Sequence, residues 1–201
     1  MPRIKAASLE EHHELVWQAI TDAVAGLLTE RDYDSINLGH IAARAGLARN
    51  TLYNYADDKA ALVIAIAERV SRPVLDRITS IADEAGPATD RARAIIDELM
   101  RAFADSTIRL MLPSASALLS SDTVQNSAGP FDVVAQSMEK VVRDGITRGE
   151  FRPTGDVQLT TWLLSGILRA GVERMVKDQI APSDMTGLVQ DLILSALRTE
   201  S

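Results

Sequence analysis

Residues Asn37 to Leu62 read NLGHIAARAGLARNTLYNYADDKAAL, a pattern of short helices joined by a tight turn. Asn37 predicts the start of the first helix, because its side chain accepts a hydrogen bond from a backbone N–H two or three residues on. Gly46 predicts its end, since glycine enters the left-handed conformation in which helices commonly stop. Ala42 is small, as two steeply crossing helices require where they meet. The apolar residues that give this helix a buried face are Leu38, Ile41, Ala42 and Ala45.

A second helix is expected over residues 49–55, with Leu52 as its inward anchor. Asp57 or Asp58 is expected to cap a third helix, which has Lys59 in its first turn. The pattern is that of a helix-turn-helix. Its second helix presents side chains suited to base edges and phosphates, namely Arg49, Asn50, Thr51, Tyr53, Asn54 and Tyr55.

The segment IAARAGLARNTLYNYADDKAAL resembles the DNA-binding signature of the tetracycline-repressor (TetR) family of transcriptional regulators. The family usually has a serine cap where this chain has Ala48 and a phenylalanine where it has Ala56. Loss of a serine cap costs about 1 kcal/mol of helix stability. The resemblance is strong from Leu15 to Leu62 and covers the later helices only in their order. The matching positions are Ile41, Ala42, Ala45, Gly46, Thr51, Leu52, Tyr53, Tyr55, Lys59 and Leu62.

The resemblance implies an all-α fold with an N-terminal three-helix helix-turn-helix head, at residues 1–60. A C-terminal helical bundle for ligand binding and dimerisation is expected at residues 61–201. The implied function is that of a ligand-responsive transcriptional repressor, released from a palindromic double-stranded DNA operator by a small-molecule effector. Two alternatives stay open. The segment alone is compatible with a polar helical hairpin in a bundle, and the chain with an interaction module that does not bind DNA specifically.

Specific contacts are assigned within this segment. The residues expected nearest base edges are Arg49, Asn50, Thr51 and, from the preceding helix, Arg44. The residues expected to hold phosphates are Tyr53, Tyr55 and Lys59. One short helix reads too few base pairs for specific binding, so two heads must act together in a homodimer. The two C-terminal helices are expected to form the dimer interface, because each carries a long apolar face.

Composition agrees with helices and excludes several kinds of site. Aromatic residues make up 4% of the 201 residues, which favours helices over a β-sandwich or barrel. Cys is 0, which excludes disulfides and thiolate metal ligands. The sequence shows no secretory signal and no apolar run long enough for a membrane span, so a cytoplasmic protein is expected.

The charge of the chain does not by itself favour DNA binding. The formal net charge is −7, and residues 1–70 carry seven Lys and Arg against ten Asp and Glu, or −3. From Leu38 to Lys59 three basic residues stand against two acidic ones. Since distant charges are screened in salt, this thin local excess predicts modest non-specific affinity and a dependence on dimerisation.

Apolar periodicity predicts the remaining helices and their inner faces. The predicted inner faces are Leu15/Val16, Ala19/Ile20, Ala23/Val24 and Leu27/Leu28 on the first helix; Ile95, Ile96, Leu99, Met100 and Phe103 on the helix after Gly86-Pro87; Val134, Met138, Val141, Val142 and Ile146 on the helix over 131–148; and Leu159, Trp162, Leu163, Gly166, Ile167, Ala170 and Val176 on the helix that begins at Asp156. A long helix is expected from Lys59 to Ala82, bent at Pro73, which removes one backbone hydrogen bond. The next helix is expected to start at Thr89 or Asp90 and to continue to Met111. Other expected elements are a first helix over residues 11–31, a short helix over 114–119, a polar loop over 120–130, a helix over 131–148, and two final helices that begin at Asp156 and near Ser183.

Several large apolar residues of the later helices are candidates for an effector site. Helix bundles hold ligands between their helices, although each such residue is more often part of the core. Arg169 is available to orient an anionic group, but its spacing to Glu173 favours an ordinary surface pair. The candidate ligand-binding residues are Met100, Phe103, Met111, Leu112, Phe131, Met138 and Trp162.

No catalytic motif occurs in the sequence: there is no GxSxG elbow, HExxH pair, phosphate-binding loop or GxGxxG segment. The chain has 3 histidines, His12, His13 and His40, which favours neither a catalytic triad nor a metal site. The expectation is therefore a protein that is not an enzyme and has no metal or cofactor.

Overall fold

The computed structural model describes residues 9–103, 105, 107–108, 130–178 and 180–199. These residues are all-α, as predicted, apart from a 3-10 turn at Tyr33–Ser35 and an isolated bridge between Phe151 and Arg198. The predicted elements at residues 114–119 and 120–129 lie outside them. The helices are α1 (Leu9–Glu30), α2 (Leu38–Ala45), α3 (Arg49–Leu52), α4 (Lys59–Asp83), α5 (Ala88–Ala102), α6 (Pro130–Thr147), α7 (Val157–Asp178) and α8 (Pro182–Leu197).

The described residues form two compact units, and helix α4 contributes to both. The first unit contains α1, α2, α3 and α4 as far as Val70, together with Thr107 and Ile108. The second unit begins at Ser71 and contains the rest of α4 with α5, α6, α7 and α8. The predicted boundary after residue 60 stays a prediction.

The first unit is built around the apolar stripe of α1. Val16, Ile20, Val24 and Leu27 are buried at intervals of three or four residues, which confirms the predicted stripe. The residues of the other helices buried in this unit include Leu38, Ile41, Ala42, Leu52, Leu62, Val63, Ile66 and Ala67. The helix-turn-helix is thus fixed to a packed core.

The second unit confirms the predicted inner faces of α5 and most of that of α6. The buried residues are Ile95, Ile96, Leu99 and Met100 on α5, Phe103 at its C-terminal end, and Val134, Met138, Val141 and Val142 on α6. The prediction that α5 reaches Met111 was wrong, because α5 ends at Ala102 and Asp105 then donates to the Ala102 carbonyl at 3.1 Å. Apolar periodicity continued past this turn, and periodicity alone does not show where a backbone leaves the helix.

A buried arginine on α5 forms hydrogen bonds with the end of α4 and with α6. Arg91 is buried, pairs with Asp144 on α6, and donates to the backbone carbonyl of Ala82 at 3.1 Å. Arg148 donates to Asp144 at 3.0 Å and to the Gly86 carbonyl at 3.0 Å. The hydrogen bond from Arg91 holds the pKa of Asp144 below its ordinary value, and the charge of Arg148 acts in the same direction. Asp144 therefore stays ionised and keeps both arginines in place.

Helix α7 has two apolar faces, and the predicted one is exposed. The core face consists of Leu164, Leu168, Val172 and Met175. Gly171 lies against α8, where a Cβ would stand 2.8 Å from Val189. The predicted face leaves Trp162 67% exposed. The other large apolar side chains that expose half or more of their surface here are Leu159 and Leu163 on α7, and Leu188 and Leu192 on α8.

Among the described helices, none has the length and apolar character that a membrane span requires.

Candidate DNA-binding surface

The turn between α2 and α3 has the geometry that its sequence predicts. The Asn37 side chain accepts a hydrogen bond from the His40 N–H at 3.0 Å and so caps α2. Gly46 adopts the left-handed conformation, with φ 69° and ψ 25°. Leu47 then donates to the Ala42 carbonyl at 2.9 Å, which closes the helix end. These bonds fix the direction in which the chain enters α3.

Helix α3 is shorter than predicted. It spans Arg49–Leu52, and residues 53–55 form a turn in which Tyr55 donates to the Leu52 carbonyl at 2.9 Å. Ala48 stands at its N-cap, where it makes no side-chain hydrogen bond. Only the fully buried Leu52 anchors this short element. Because α3 lacks both length and a side-chain cap, its tertiary contacts hold it in place.

The outward side chains of α3 and its following turn are polar and accessible. Arg49, Asn50 and Asn54 are exposed, and Thr51 is half-buried. Tyr53 is 46% exposed, and its hydroxyl accepts a hydrogen bond from Arg49 at 3.4 Å. This set offers donors and acceptors of the kinds that bind base edges and phosphates.

Tyr55 differs from the other predicted phosphate contacts, because its ring packs against α1. The ring stacks on His13 with centroids 5.2 Å apart and meets Trp17 edge-on at 5.1 Å. Burial raises the pKa of Tyr55, so the hydroxyl remains a donor at neutral pH. Arg69 of α4 lies 5.5 Å from the Trp17 ring and pairs with Glu14. The cluster ties the end of the helix-turn-helix to α1.

Lys59 makes two contacts with Tyr33 within the protein. Its ammonium donates to the Tyr33 backbone carbonyl at 2.8 Å and lies 3.9 Å from the centroid of the same ring. Burial raises the pKa of the Tyr33 phenol, and the charges of Asp58 and Asp34 add to that effect. Asp58 caps α4, as one of the two predicted candidates, by accepting a hydrogen bond from the Ala61 N–H at 2.8 Å. Lys59 therefore has a structural partner within the first unit.

Arg44 is also paired within the first unit. Its guanidinium forms an ion pair with Glu30 at 2.7 Å and lies directly over Gly26 of α1, where an added Cβ would stand 2.6 Å away. The absence of a side chain at Gly26 thus makes room for Arg44. This arrangement ties α2 to α1 and reduces the net charge that Arg44 offers to a ligand.

A groove lies between α1 and residues 49–55, the recognition segment. This groove was not predicted from the sequence. It has a volume of about 820 Å³ and is open to solvent. The spacing of His13 and Trp17, four residues apart, places both rings on one face of α1, but nothing in the sequence shows that Tyr55 packs against them. The residues that line the groove are Glu10, His12, His13, Val16, Thr51, Asn54 and Tyr55.

The candidate effector residues divide into three groups. Met100, Phe103 and Met138 are buried in the second unit. Trp162 does not join this buried set, because most of its surface is exposed. Met111, Leu112 and the side chain of Phe131 lie outside the described part of the chain. Arg169 lies 3.9 Å from Glu173, which agrees with the surface pair favoured by their spacing.

Comparison with known proteins finds similarity to one family in part of the sequence, and a shared fold in solved structures. Residues 20–66 match the profile of bacterial regulatory proteins of the tetR family. An uncharacterized HTH-type transcriptional regulator of Mycobacterium tuberculosis is 38% identical over 94 residues, which are 46% of each chain. The matched segment therefore spans about half the length of that relative. The HTH-type transcriptional repressor LfrR of Mycolicibacterium smegmatis is 26% identical over 178 residues, covering 88% of this chain and 89% of LfrR.

Solved structures share the fold over nearly the whole chain. The fatty acid degradation regulator FadR of Bacillus halodurans has a TM-score of 0.73 at 18% identity, covering 98% of this chain and 100% of that one. LfrR of Mycobacterium smegmatis, solved in complex with proflavine, has a TM-score of 0.63 at 20% identity over 94% and 99% of the two chains.

Proposed function

Since residues 20–66 of this chain match the tetR family of bacterial regulatory proteins, we propose that the chain is a ligand-responsive transcriptional repressor in the cytoplasm. It binds a palindromic DNA operator as a homodimer and leaves it when a small-molecule effector binds. The observation that carries the proposal is the capped turn from α2 to α3. The left-handed Gly46 and the buried Leu52 hold an exposed polar segment on a packed unit.

The DNA contacts divide by how each side chain is held. Asn50 and Arg49 are exposed on α3 and act as the base-reading residues, since amide and guanidinium groups bind purine edges in the major groove. Thr51 and Asn54 lie beside them, where they reach base edges or the adjoining backbone. Tyr53 and Lys59 bind phosphates, with Lys59 using the N–H donors that Tyr33 leaves free. Arg44 and Tyr55 act mainly by positioning α2 and the recognition segment against α1.

The exposed apolar face of α7 and α8 is the dimer interface. Trp162, Leu188 and Leu192 expose half or more of their surface, and a contiguous apolar surface of this kind marks a protein interface. Two copies of α7 and α8 form a four-helix bundle across a twofold axis, which is the commonest symmetry of homo-oligomers. Two heads on one twofold axis then face the two halves of a palindrome.

The proposed effector site lies around Met100, Phe103 and Met138 of the second unit. Met111, Leu112 and Phe131 remain candidates from the sequence alone. The buried methionines support an apolar ligand, because their flexible side chains adapt to different shapes. LfrR has been solved with proflavine, a planar aromatic ligand, and this supports effector binding in the same fold. Trp162 is assigned to the interface.

The effector acts on the spacing of the two heads. Recognition helices fit successive major grooves only when they are about 34–36 Å apart or a multiple of that distance. Helix α4 continues through Pro73, which cannot donate a backbone hydrogen bond and marks the point where the helix bends most easily. An effector that binds the mismatched spacing more tightly releases DNA, and DNA weakens the effector by the same factor.

An interaction module that does not bind DNA is the second candidate. The formal charge of −3 over residues 1–70 favours it, as do the internal pairs of Arg44 and Lys59. A titration against the DNA upstream of the protein's own gene, at two salt concentrations, separates the two. A steep fall of affinity with salt and preference over an unrelated duplex support the repressor. Equal, weak binding to both duplexes supports the interaction module.

A further inference from the structure

The groove between α1 and the recognition segment contains two of the chain's three histidines. His12 and His13 lie on α1, and Thr51, Asn54 and Tyr55 form the opposite wall. Although adjacent in sequence, both histidines line this one groove, with the buried Val16 at its base. The wall formed by Thr51 and Asn54 belongs to the surface assigned to DNA. A duplex bound there brings its backbone to the mouth of the groove.

The charge of the groove depends on the state of these two imidazoles. With both neutral, Glu10 is the one charged side chain among the lining residues, and the groove carries −1. With both protonated, the sum is +1. Histidine is the side chain that changes its charge between about pH 5 and pH 8. The groove therefore repels a phosphate while both imidazoles are neutral and attracts one when both are protonated.

The surrounding charges do not cancel this change. On α1, Glu14 is paired with Arg69 of α4, which also lies over Trp17. The wall opposite the histidines consists of the uncharged Thr51, Asn54 and Tyr55. Tyr55 stacks on His13 with the ring planes 19° apart, and an aromatic face stabilises an imidazolium through cation–π attraction. Among the residues that line the groove, Glu10 is the one that carries a negative charge.

We propose that the groove binds a phosphate of the DNA backbone through protonated His12 and His13, so that DNA binding is linked to proton uptake. The proposal rests on the proposed DNA-binding function. A phosphate beside an imidazole favours its protonated form, and by linkage acid strengthens DNA binding. The contact is to the backbone, so it acts on all sequences alike. The repressor thus holds DNA more tightly as the pH falls from 8 to 6.

The test measures binding of the full-length protein to a labelled duplex of arbitrary sequence, over a salt series at pH 8 and at pH 6. For the wild type, affinity rises by roughly threefold to tenfold for each histidine engaged on going to pH 6. The salt dependence steepens by about 0.9 in log K against log salt for each phosphate neutralised. For the double variant His12→Gln with His13→Gln, each affinity is compared with the same variant's own value, and the expected result is equal affinity at pH 8 and at pH 6.

Two single variants test whether a more positive charge in the groove strengthens DNA binding. His12→Lys carries a permanent charge at an exposed position, and its affinity at pH 8 rises towards the wild-type value at pH 6. Glu10→Gln removes the opposing charge and tightens binding at both pH values. Circular dichroism at pH 8 shows whether each variant is folded.

The results of these experiments distinguish failure of the proton linkage from failure of the DNA-binding function. A wild type that binds equally at pH 8 and pH 6 contradicts the proton linkage and leaves the DNA-binding function standing. A double variant that keeps the full gain moves the linkage to His40 and also overturns the proposal. A protein that binds no duplex under either condition contradicts the proposed function itself.

Discussion

The ammonium of Lys59 donates a hydrogen bond to the backbone carbonyl of Tyr33 at 2.8 Å and lies 3.9 Å from the centroid of the Tyr33 ring. This contact joins the first turn of α4 to the 3-10 turn that precedes α2. The same side chain is assigned to a DNA phosphate, and an ammonium has enough donors for both partners. Lys59 therefore links the stability of the first unit to its affinity for DNA.

Replacing Lys59 by alanine is predicted to weaken binding to every duplex alike and to lower the thermal stability of the protein. The first effect follows from the lost phosphate contact and the second from the lost bond to Tyr33. Fluorescence titration with operator and non-operator duplexes measures affinity, and calorimetry measures the melting temperature. A melting temperature equal to that of the wild type would show that the Tyr33 contact contributes nothing.

Replacing Ala48 by serine is predicted to stabilise the first unit by about 1 kcal/mol. Ala48 occupies the N-cap of α3 in extended conformation, with φ −70° and ψ 141°, so the hydroxyl of a serine there is placed to accept a hydrogen bond from a backbone N–H in the first turn. Urea unfolding measures the change. Ala43→Ser is the matched control, because Ala43 is exposed inside α2 and has no such N–H to bind. Equal effects of the two serines would argue against the capping explanation.

Replacing Leu188 and Leu192 by lysine is predicted to give a folded monomer. Both side chains are exposed on α8, and their charges oppose burial in a symmetric interface. Light scattering measures the mass. The matched control is Leu15→Lys, an exposed leucine on α1 that lies outside this face. Ile193→Lys is expected to unfold the protein, since Ile193 is fully buried within its own chain. A double variant that remains dimeric places the interface elsewhere.

Replacing Asp144 by asparagine is predicted to destabilise the second unit at neutral pH. The pKa of Asp144 is lowered, chiefly by its hydrogen bond to Arg91, so its contribution is present above the carboxyl's unfolded-state pKa and is lost as the pH falls through the folded-state pKa. The wild type therefore loses more stability than the variant between pH 7 and pH 3. Asp83→Asn is the control, because it breaks an exposed pair with Lys140. Parallel pH curves for the wild type and Asp144→Asn would contradict this.

The sequence alone was sufficient to predict the helix ends that depend on hydrogen bonds between residues close together in the chain. Asn37, Gly46 and Asp58 cap or end their helices as predicted, because each acts through backbone groups a few residues away. It was insufficient where distant segments meet. Nothing in the local pattern showed that Lys59 would reach Tyr33 or that Arg44 would lie over Gly26.

The apolar faces of α7 show a second limit of the same kind. Periodicity found the face that contains Trp162 and Leu163, but both faces of this helix are apolar, and hydrophobicity alone does not say which of them a single chain buries. The face with Leu164 and Leu168 forms the core of the second unit. Likewise, α5 ended at Ala102 although apolar residues continued beyond it.

The assignment of Asn50 as a base-reading residue is tested by a footprint of the wild type and Asn50→Ala on the DNA upstream of the protein's own gene. The wild type is expected to protect two half-sites of a palindrome, with centres one or two helical turns apart. It predicts that Asn50→Ala retains non-specific affinity but loses its preference at one base pair of each half-site, at a cost of about 1–3 kcal/mol. Protection without a palindrome, or a uniform loss of affinity on all sequences in Asn50→Ala, would contradict the assignment of this segment as a sequence-reading head.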